Sequence, residues 1–308
     1  MGGAVAAVES GYMKQRLVAS NAKRVAAIEA GEQVVVGVNR WTESAPSPLT
    51  ENPEDGGGDG GFLAVDPAAE AAQIENLAEW RAARDEAKAQ AAVADLERAV
   101  REGGNVMEPS IACAHAGVTT GEWGGALRGI FGLYRAPTGV GAAPAVRPVS
   151  DDGAAALEAV RGRVEALSRR LGRRLKMLVG KPGLDGHSNG AEQIAVKARD
   201  CGIEVVYEGI RLTPAQIANA ALQEDVHIVG LSILSGSHAA LVGDVVARLA
   251  DLGLGDVPVV VGGIIPPADA EALKAAGVAA VYTPKDFDLT AIMGEIVEIV
   301  ERGTLEAA

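Results

Sequence analysis

The sequence predicts an α/β protein, and three observations support this class. Residues 173–308 alternate five short apolar runs with five stretches of helix-forming residues. The apolar runs are continuous, which is typical of parallel strands that are covered on both faces. Gly is abundant (39 residues) while aromatic residues make up only 3%, which favours close packing of helices on a sheet. Five such units fit a flavodoxin-like, doubly wound, five-stranded parallel sheet, and they are too few for a closed eight-stranded barrel.

Each predicted strand is followed by a predicted helix. The strands are 175–179, 204–207, 227–234, 259–261 and 280–282. The helices are 189–201, 214–224, 239–252, 268–276 and 288–302. The second of these helices has the clearest start, because Thr213 and Gln216 form a capping box with Pro214 at the first helical position.

Three segments precede the predicted sheet. Residues 1–42 combine a helix over 13–30 with a short apolar strand over 33–39, which is too little to form a domain. Residues 43–66 are acidic and rich in Gly, without Lys or Arg, and predict a flexible loop. Residues 67–172 predict a helical linker region, with one long helical segment up to Gly103.

Within this linker region, Thr119 and Glu122 form a capping box at the start of another helix. Three prolines make 136–150 an extended segment, and a helix follows over 151–172. The predicted domains are therefore 1–42, 43–66, 67–172 and 173–308.

The charge balance excludes several classes of partner. With 28 Lys and Arg against 41 Asp and Glu, the net charge is −13, so we expect neither nucleic acid nor a membrane surface as a partner. Cys113 and Cys201 are far apart in the sequence and predict reduced, buried thiols. No apolar run approaches about 18 residues, and the start lacks a basic region and a cleavage site. We therefore expect a cytoplasmic protein.

In an open α/β sheet, ligands bind at the carboxyl ends of the strands, near the switch in strand order. This rule selects the loops 180–190, 235–238, 262–267 and 283–287. The first of them reads GKPGLDGHSNG and is long for its position. Its glycines allow a bulky group to approach the backbone closely.

His187 lies on this loop rather than on a helix face, so its imidazole can project outward. Asp185, two positions earlier, can accept a hydrogen bond from Nδ1 and leave Nε2 available as a base or a metal ligand. No other His, Cys, Asp and Glu residues have zinc-site spacing. A single histidine suits a ligand that carries most of its own coordination, such as a macrocycle.

The motifs on these loops resemble those of a known family. The stretch 181–190 contains the pattern DxHxxG, Ser232 and Leu234 end the third predicted strand, and Gly262 and Gly263 end the fourth. Together they resemble the cobalamin-binding domain of the adenosylcobalamin-dependent acyl-CoA mutases. Residues 1–41 resemble the end of the mutase substrate barrel, and 73–85 and 120–123 resemble the connecting helices. Within the family, 180–190, 232–238 and 282–287 are most similar to the ethylmalonyl-CoA mutases, with methylmalonyl-CoA and isobutyryl-CoA mutases as close relatives.

The resemblance implies a role for each residue of the loops. His187 would be the lower axial ligand of cobalt, Asp185 would hydrogen-bond its imidazole, and Lys181 would pair with Asp185. The nucleotide tail of the cofactor would lie between the first loop and the sheet. Its remaining contacts would be Gly186, Ser188, Gly190, Ser232, Leu234, Gly236, Gly262, Gly263, Tyr282, Thr283 and Pro284.

The resemblance also implies what this sequence lacks. The family's acyl-CoA site lies in a barrel of which at most the end is present, so we expect cobalamin binding here but no turnover without a barrel-containing chain or second protomer. The reaction implied is a radical rearrangement, with ethylmalonyl-CoA and methylsuccinyl-CoA as the first choice of substrate pair. A non-catalytic cobalamin carrier and a corrinoid methyl-transfer module remain alternatives. A response regulator is disfavoured because the first loop lacks an acidic pair.

The other histidines have simpler interpretations. His227 predicts packing or hydrogen bonding at the start of the third strand, and His115 predicts a structural role in the helical linker. His238, which begins a helix beside the predicted cleft, fits a capping role and a cofactor contact equally well.

Overall fold

The computed structural model describes residues 2–43, 67–140, 151–234 and 236–306. The chain forms two compact units, one from residues 1–44 together with 136–308 and the other from 45–135. The predicted acidic loop, from residue 44 onward, and residues 141–150 of the predicted extended segment lie outside the described residues. The predicted domain boundaries stay predictions.

Twelve helices and five strands occupy the described residues. The helices are α1 (Ala4–Glu9), α2 (Tyr12–Glu29), α3 (Pro67–Ala83), α4 (Glu86–Arg101), α5 (Met107–His115), α6 (Thr120–Phe131), α7 (Asp151–Leu171), α8 (Asn189–Asp200), α9 (Pro214–Gln223), α10 (His238–Asp251), α11 (Pro267–Ala275) and α12 (Leu289–Glu306). The strands are β1 (Lys176–Gly180), β2 (Glu204–Val206), β3 (Ile228–Ile233), β4 (Val259–Gly263) and β5 (Ala280–Tyr282).

The five strands form one parallel sheet in the order β2-β1-β3-β4-β5. The chain runs outward from β1 to β2 and then returns to the other side of β1 with β3. The loops that follow β1 and β3 therefore diverge at this switch in strand order, where open α/β sheets bind ligands. The predicted fold class is confirmed.

The sheet separates two apolar cores, because successive side chains of a strand point to opposite faces. Met177 and Val179 of β1 pack on the face covered by α7, α8 and α12, whereas Leu178 packs on the face covered by α9, α10 and α11. Each fully buried aliphatic side chain of this kind contributes about 1.5–3 kcal/mol. Burial on both faces explains the continuous apolar runs in the sequence.

Helix α2 belongs to the same unit as the sheet. Val18 is fully buried in the core beside α8 and α12. Glu29, at the end of α2, accepts a hydrogen bond of 2.9 Å from the backbone N–H of Leu289 and lies 3.1 Å from Lys197 Nζ. Apolar packing and these polar contacts fix α2 over the edge of the domain.

The predicted strand over 33–39 is wrong. In the structure this segment is a turn, and Val36 makes only an isolated bridge to Arg40. The Asn39 side chain accepts a hydrogen bond of 2.8 Å from the backbone N–H of Val35 and donates to the carbonyl oxygens of Ile28 and Gln33. A side chain that binds its own backbone in this way competes with strand pairing.

The second unit consists of α3 to α6. The predicted helical segment over 67–103 is divided into α3 and α4, because Asp85 caps α4 by accepting a hydrogen bond of 3.0 Å from the backbone N–H of Lys88. The capping box of Thr119 and Glu122 is confirmed at the start of α6. None of the described helices combines the length and the apolar character that crossing a membrane requires.

Candidate functional site

The loop after β1 is fixed where it begins. The backbone carbonyl oxygen of Lys181 accepts a hydrogen bond of 3.1 Å from the backbone N–H of Leu212. The backbone N–H of Gly183 donates one of 2.9 Å to the carbonyl oxygen of Leu212. Gly183 has a φ of +83°, and a Cβ there would lie 2.8 Å from a methyl group of Leu241. The backbone conformation therefore favours glycine at this position, and a side chain there would also displace the Leu241 methyl group.

A buried ion pair lies under the loop. Lys181 Nζ is 2.7 Å from Asp185 Oδ2, and the two side chains are 0% and 5% exposed. Lys181 also lies 3.4 Å from the carbonyl oxygen of Ser232, while the backbone N–H of Leu234 donates to Asp185 over 3.3 Å. The pair thus ties the first loop to the end of β3.

His187 is held by the carboxylate of this ion pair. Asp185 Oδ1 accepts a hydrogen bond of 2.9 Å from the backbone N–H of His187 and lies 2.6 Å from its Nδ1. Because a carboxylate only accepts hydrogen bonds, Nδ1 carries the proton in the neutral imidazole, and Nε2 of that tautomer has a lone pair. The imidazole is 79% exposed. The predicted contact between Asp185 and His187 is therefore present in the fold.

The surroundings of Asp185 favour its charged form. Burial by itself raises the pKa of this carboxyl group, but hydrogen bonds from the Lys181 ammonium and from the backbone and ring of His187 outweigh burial. The pKa of Asp185 is held well below its usual range. The acceptor that orients the imidazole is thus a permanent anion near neutral pH.

An apolar cavity of about 400 Å³ opens beside the loop, between the sheet and helices α2, α8 and α12. Its volume lies in the range of small-molecule sites, about 300–1,000 Å³. Eight residues predicted from the sequence line it: Gly190, Ser232, Leu234, Gly262, Gly263, Tyr282, Thr283 and Pro284. Asn189 also lines it, two residues after His187, so the loop and the cavity share one edge.

The other predicted residues lie outside the cavity lining. Lys181 and Asp185 form the buried pair under the loop, and Gly186 and Ser188 flank His187 on it. Gly236 follows β3 and does not line the cavity, and a Cβ there would contact nothing within 4 Å. Its role in binding is a prediction to which the cavity adds no support.

The two glycines that end β4 differ in what they do. A Cβ on Gly262 would meet nothing within 4 Å, so this position leaves open space in the cavity wall. A Cβ on Gly263 would lie 1.8 Å from the carbonyl oxygen of Ile233, so the close approach of β3 and β4 requires glycine there. The sequence alone gave both glycines the same purpose.

Helix α2 also lines this cavity, which was not predicted from the sequence. Asn21, Arg24, Val25 and Ile28 all line it. The last three lie three, four and seven residues after Asn21, so all four lie on one face of a helix. This spacing is visible in the sequence. Nothing in the sequence linked that face to a cavity that starts more than a hundred residues later.

Of two further histidines in the sheet domain, His238 is buried and His227 is half-buried. His238 Nε2 lies 2.7 Å from Asp269 Oδ2, and the imidazole is 7% exposed and outside the cavity lining. His227 Nδ1 accepts a hydrogen bond of 3.0 Å from the backbone N–H of Lys176. Burial, with a contribution from Arg173, lowers the pKa of His227. Each ring therefore makes one polar contact within the sheet domain.

Two family models match the chain, methylmalonyl-CoA mutase over residues 1–133 and the B12 binding domain over residues 175–287. The chain is 57% identical to ethylmalonyl-CoA mutase of Cereibacter sphaeroides over 100% of its own length and 45% of that protein. The chain belongs to the acyl-CoA mutase family. It is 53% identical to ethylmalonyl-CoA mutase of Methylorubrum extorquens, over 98% of the chain and 42% of that protein.

Methylmalonyl-CoA mutase of Cereibacter sphaeroides is 37% identical, over 92% of the chain and 38% of that protein. The chain thus spans less than half the length of these curated relatives. A solved cobalamin-binding protein from Desulfitobacterium hafniense aligns with 70% of the chain and over 97% of its own length. The TM-score of this alignment is 0.36 and the sequence identity is 22%.

The residues present fit a cobalamin. No group of three His, Cys, Asp or Glu side chains that could hold a metal ion occurs in the described parts of the chain. A cobalt ion already held by a macrocycle needs only one further protein ligand, and exposed His187 offers a nitrogen lone pair. The neighbouring apolar cavity, with open space at Gly262, can accept a bulky apolar group.

Proposed function

We propose that this chain is the cobalamin-binding part of an acyl-CoA mutase whose whole protein interconverts ethylmalonyl-CoA and methylsuccinyl-CoA. One observation carries the proposal: an exposed imidazole on a buried Asp185–Lys181 pair at the edge of an apolar cavity. The identity of 57% and 53% to two ethylmalonyl-CoA mutases supports the choice of substrate within the family.

In this proposal His187 would hold the cobalt ion of the cofactor through Nε2. Asp185 fixes the tautomer and direction of the ring, and increases its donor strength. Lys181 keeps Asp185 ionised although the carboxylate is buried. We infer adenosylcobalamin as the cofactor form; when bound, it supplies a cobalt–carbon bond that breaks homolytically to give an organic radical.

The cavity would hold the nucleotide tail of the cofactor while His187 ligates the cobalt ion. Ser232 offers a hydroxyl group to a ring nitrogen that would otherwise be buried without a hydrogen bond. Gly190 and Gly262 keep the path open, because side chains there would project toward it. Tyr282, Thr283 and Pro284 form the far wall. Gly186 and Ser188 flank the entry.

The acyl-CoA site would lie in the part of the whole protein that this chain does not span. The barrel-containing part, in the same chain, a separate chain or a second protomer, would bind the thioester and shield the radical. The contribution of the present chain is to hold the cofactor at a fixed height and orientation against that part.

The substitution His187→Ala tests the ligand assignment. Titration with hydroxocobalamin should give the absorption spectrum of a histidine-ligated cobalt in the wild-type chain and lose it in His187→Ala, with the melting temperature unchanged. His115→Ala, an exposed histidine outside the site, is the matched control. An identical spectrum for the two variants would contradict the assignment.

A second assay separates the mutase from a methyl-transfer module. The chain loaded with methylcobalamin should not methylate a thiol acceptor. Transfer at a rate above that of free methylcobalamin would favour the methyl-transfer function.

A further inference from the structure

Lys14 connects helix α2 to the segment that follows His187. Its Nζ lies 2.6 Å from Glu192 Oε1 and 3.0 Å from Ser188 Oγ. Ser188 is the residue directly after His187 and the N-cap of α8, and Glu192 lies in the first turn of that helix. One ammonium group therefore holds both the end of the loop and the start of α8.

The acid in this contact is deeply buried. Glu192 is 1% exposed, and its Oε2 has no hydrogen-bond partner among the described residues. Within that part of the chain, Lys14 is the one cation at ion-pair distance from Glu192. A buried carboxylate without a partner is strongly destabilising. The helix N-terminus favours a negative charge but does not replace a partner.

A second contact lies beside the first. The Asn21 side chain, two turns further along α2, donates a hydrogen bond to the side chain of Asn189. Helix α2 thus contacts Ser188 and Asn189, the two residues that follow His187. Helix α2 lies in the stretch matched by the mutase model, and α8 lies in the stretch matched by the B12 binding domain.

We propose that Lys14 is a positioning residue for His187. By holding Ser188 and Glu192, it fixes the start of α8 and thereby the direction of the imidazole that precedes it. This inference rests on the proposed function, since it assumes that His187 binds cobalt. It gives the N-terminal stretch, which matches the mutase model, a part in cofactor ligation. The match to the B12 binding domain begins only at residue 175 and does not include this stretch.

A purely stabilising role for Lys14 makes a different prediction. Loss of stability alone would lower the melting temperature of the cofactor-free chain and leave the ligation of bound cobalamin unchanged. A positioning role changes the fraction of bound cobalamin whose cobalt is coordinated by the imidazole.

The test compares Lys14→Met, Glu192→Gln and the double variant with wild type in the full chain. Lys23→Met, an exposed lysine on the same helix, is the matched control. Hydroxocobalamin titration gives the Kd. Electron paramagnetic resonance of the reduced cobalt, compared between chains with natural and 15N-labelled histidine, separates nitrogen coupling by histidine from coupling by the cofactor's own base. The melting temperature of each cofactor-free chain is measured alongside.

Lys14→Met should raise the Kd about tenfold, the lower end of the effect of partners that orient a metal ligand, and reduce the histidine-coupled fraction. Glu192→Gln keeps the shape of the side chain and removes the buried charge. It should raise the Kd by a smaller factor than Lys14→Met does. The double variant should recover part of the loss, because no unpartnered carboxylate remains.

Wild-type Kd and full histidine coupling in Lys14→Met would overturn the inference, and so would an equal change in Lys23→Met. A lower melting temperature with unchanged coupling would also overturn it. If Lys14→Met does not fold, the Glu192→Gln chain decides by the same two readouts. A wild-type chain that binds cobalamin without histidine coupling would instead overturn the proposed function, and this inference with it.

Discussion

The sheet domain carries two histidine–aspartate pairs at its carboxyl edge, one on each face, and their exposures are reversed. In the pair beside α8, His187 is 79% exposed and Asp185 is 5% exposed. In the pair between α10 and α11, His238 is 7% exposed and Asp269 is 46% exposed. The nitrogen–oxygen distances are nearly equal, 2.6 Å and 2.7 Å.

The same contact therefore has two uses. A buried acid under an exposed ring orients that ring toward a ligand from outside. An exposed acid over a buried ring satisfies one ring nitrogen and leaves the ring inaccessible. The geometry of the pair alone does not show whether the ring is accessible to a ligand, whereas the exposures of the ring and the acid do.

The substitution Asp185→Asn is the strongest test of this difference. It leaves the fully buried Lys181 ammonium without its anion, so the free energy of unfolding should fall by about 3–5 kcal/mol. The equivalent change at the half-exposed acid, Asp269→Asn, should cost about 1 kcal/mol or less. Urea unfolding of the two variants measures both values.

The double variant Lys181→Met/Asp185→Asn serves as the control, because it removes both charges together and should recover most of the loss. Equal costs for the two single variants would show that burial of the acid does not distinguish the pairs.

The glycines at the end of β4 extend the comparison from side chains to backbone. Gly263→Ala should lower the free energy of unfolding by about 3 kcal/mol, because the new methyl group would overlap the Ile233 carbonyl oxygen. Gly262→Ala should leave stability within about 0.5 kcal/mol and weaken hydroxocobalamin binding. Thermal unfolding and cofactor titration on the same samples give both results, and a reversed order would contradict the roles assigned here.

His238→Ala should give the opposite phenotype to His187→Ala. Removal of a buried, hydrogen-bonded ring should cost about 1–3 kcal/mol of stability, while the absorption spectrum of bound hydroxocobalamin should not change. A normal stability combined with an altered spectrum would instead place His238 in the cofactor site.

His227 is a third imidazole, and its ring contacts no carboxylate among the described residues. We expect the smallest effect on stability here. Because burial lowers the pKa of His227 in the fold, the unfolded chain binds a proton more readily, and stability should fall as the pH drops below about 6.5. Urea unfolding at pH 7.5 and 5.5 should show a smaller decrease for His227→Gln than for wild type. The same decrease in both chains would remove His227 from the explanation.

Much of this arrangement could be predicted because it depends on neighbouring residues. The five strands follow from continuous apolar runs, and the contact between Asp185 and His187 follows from a spacing of two residues in a loop. The pairing of Lys181 with Asp185 followed only from the resemblance to the mutases. The binding roles of these residues stay predictions.

The rest depends on contacts between distant segments. Lys14 and Glu192 are 178 positions apart, as their numbers show, and no local pattern pairs them. The strand expected over 33–39 is replaced by a turn because the side-chain amide of Asn39 binds the backbone of Gln33 and Val35. Whether an apolar run joins a sheet depends on such competitors, which composition does not reveal.

The support of His187 is shared between two strands, and this has a consequence for protein engineering. A graft of residues 181–188 onto another parallel sheet would transfer the imidazole, its carboxylate and the lysine. It would not transfer the carbonyl of Ser232 or the amide of Leu234, which contact the ion pair from the adjacent strand. A transplantable unit therefore needs at least two neighbouring strand ends, not one loop.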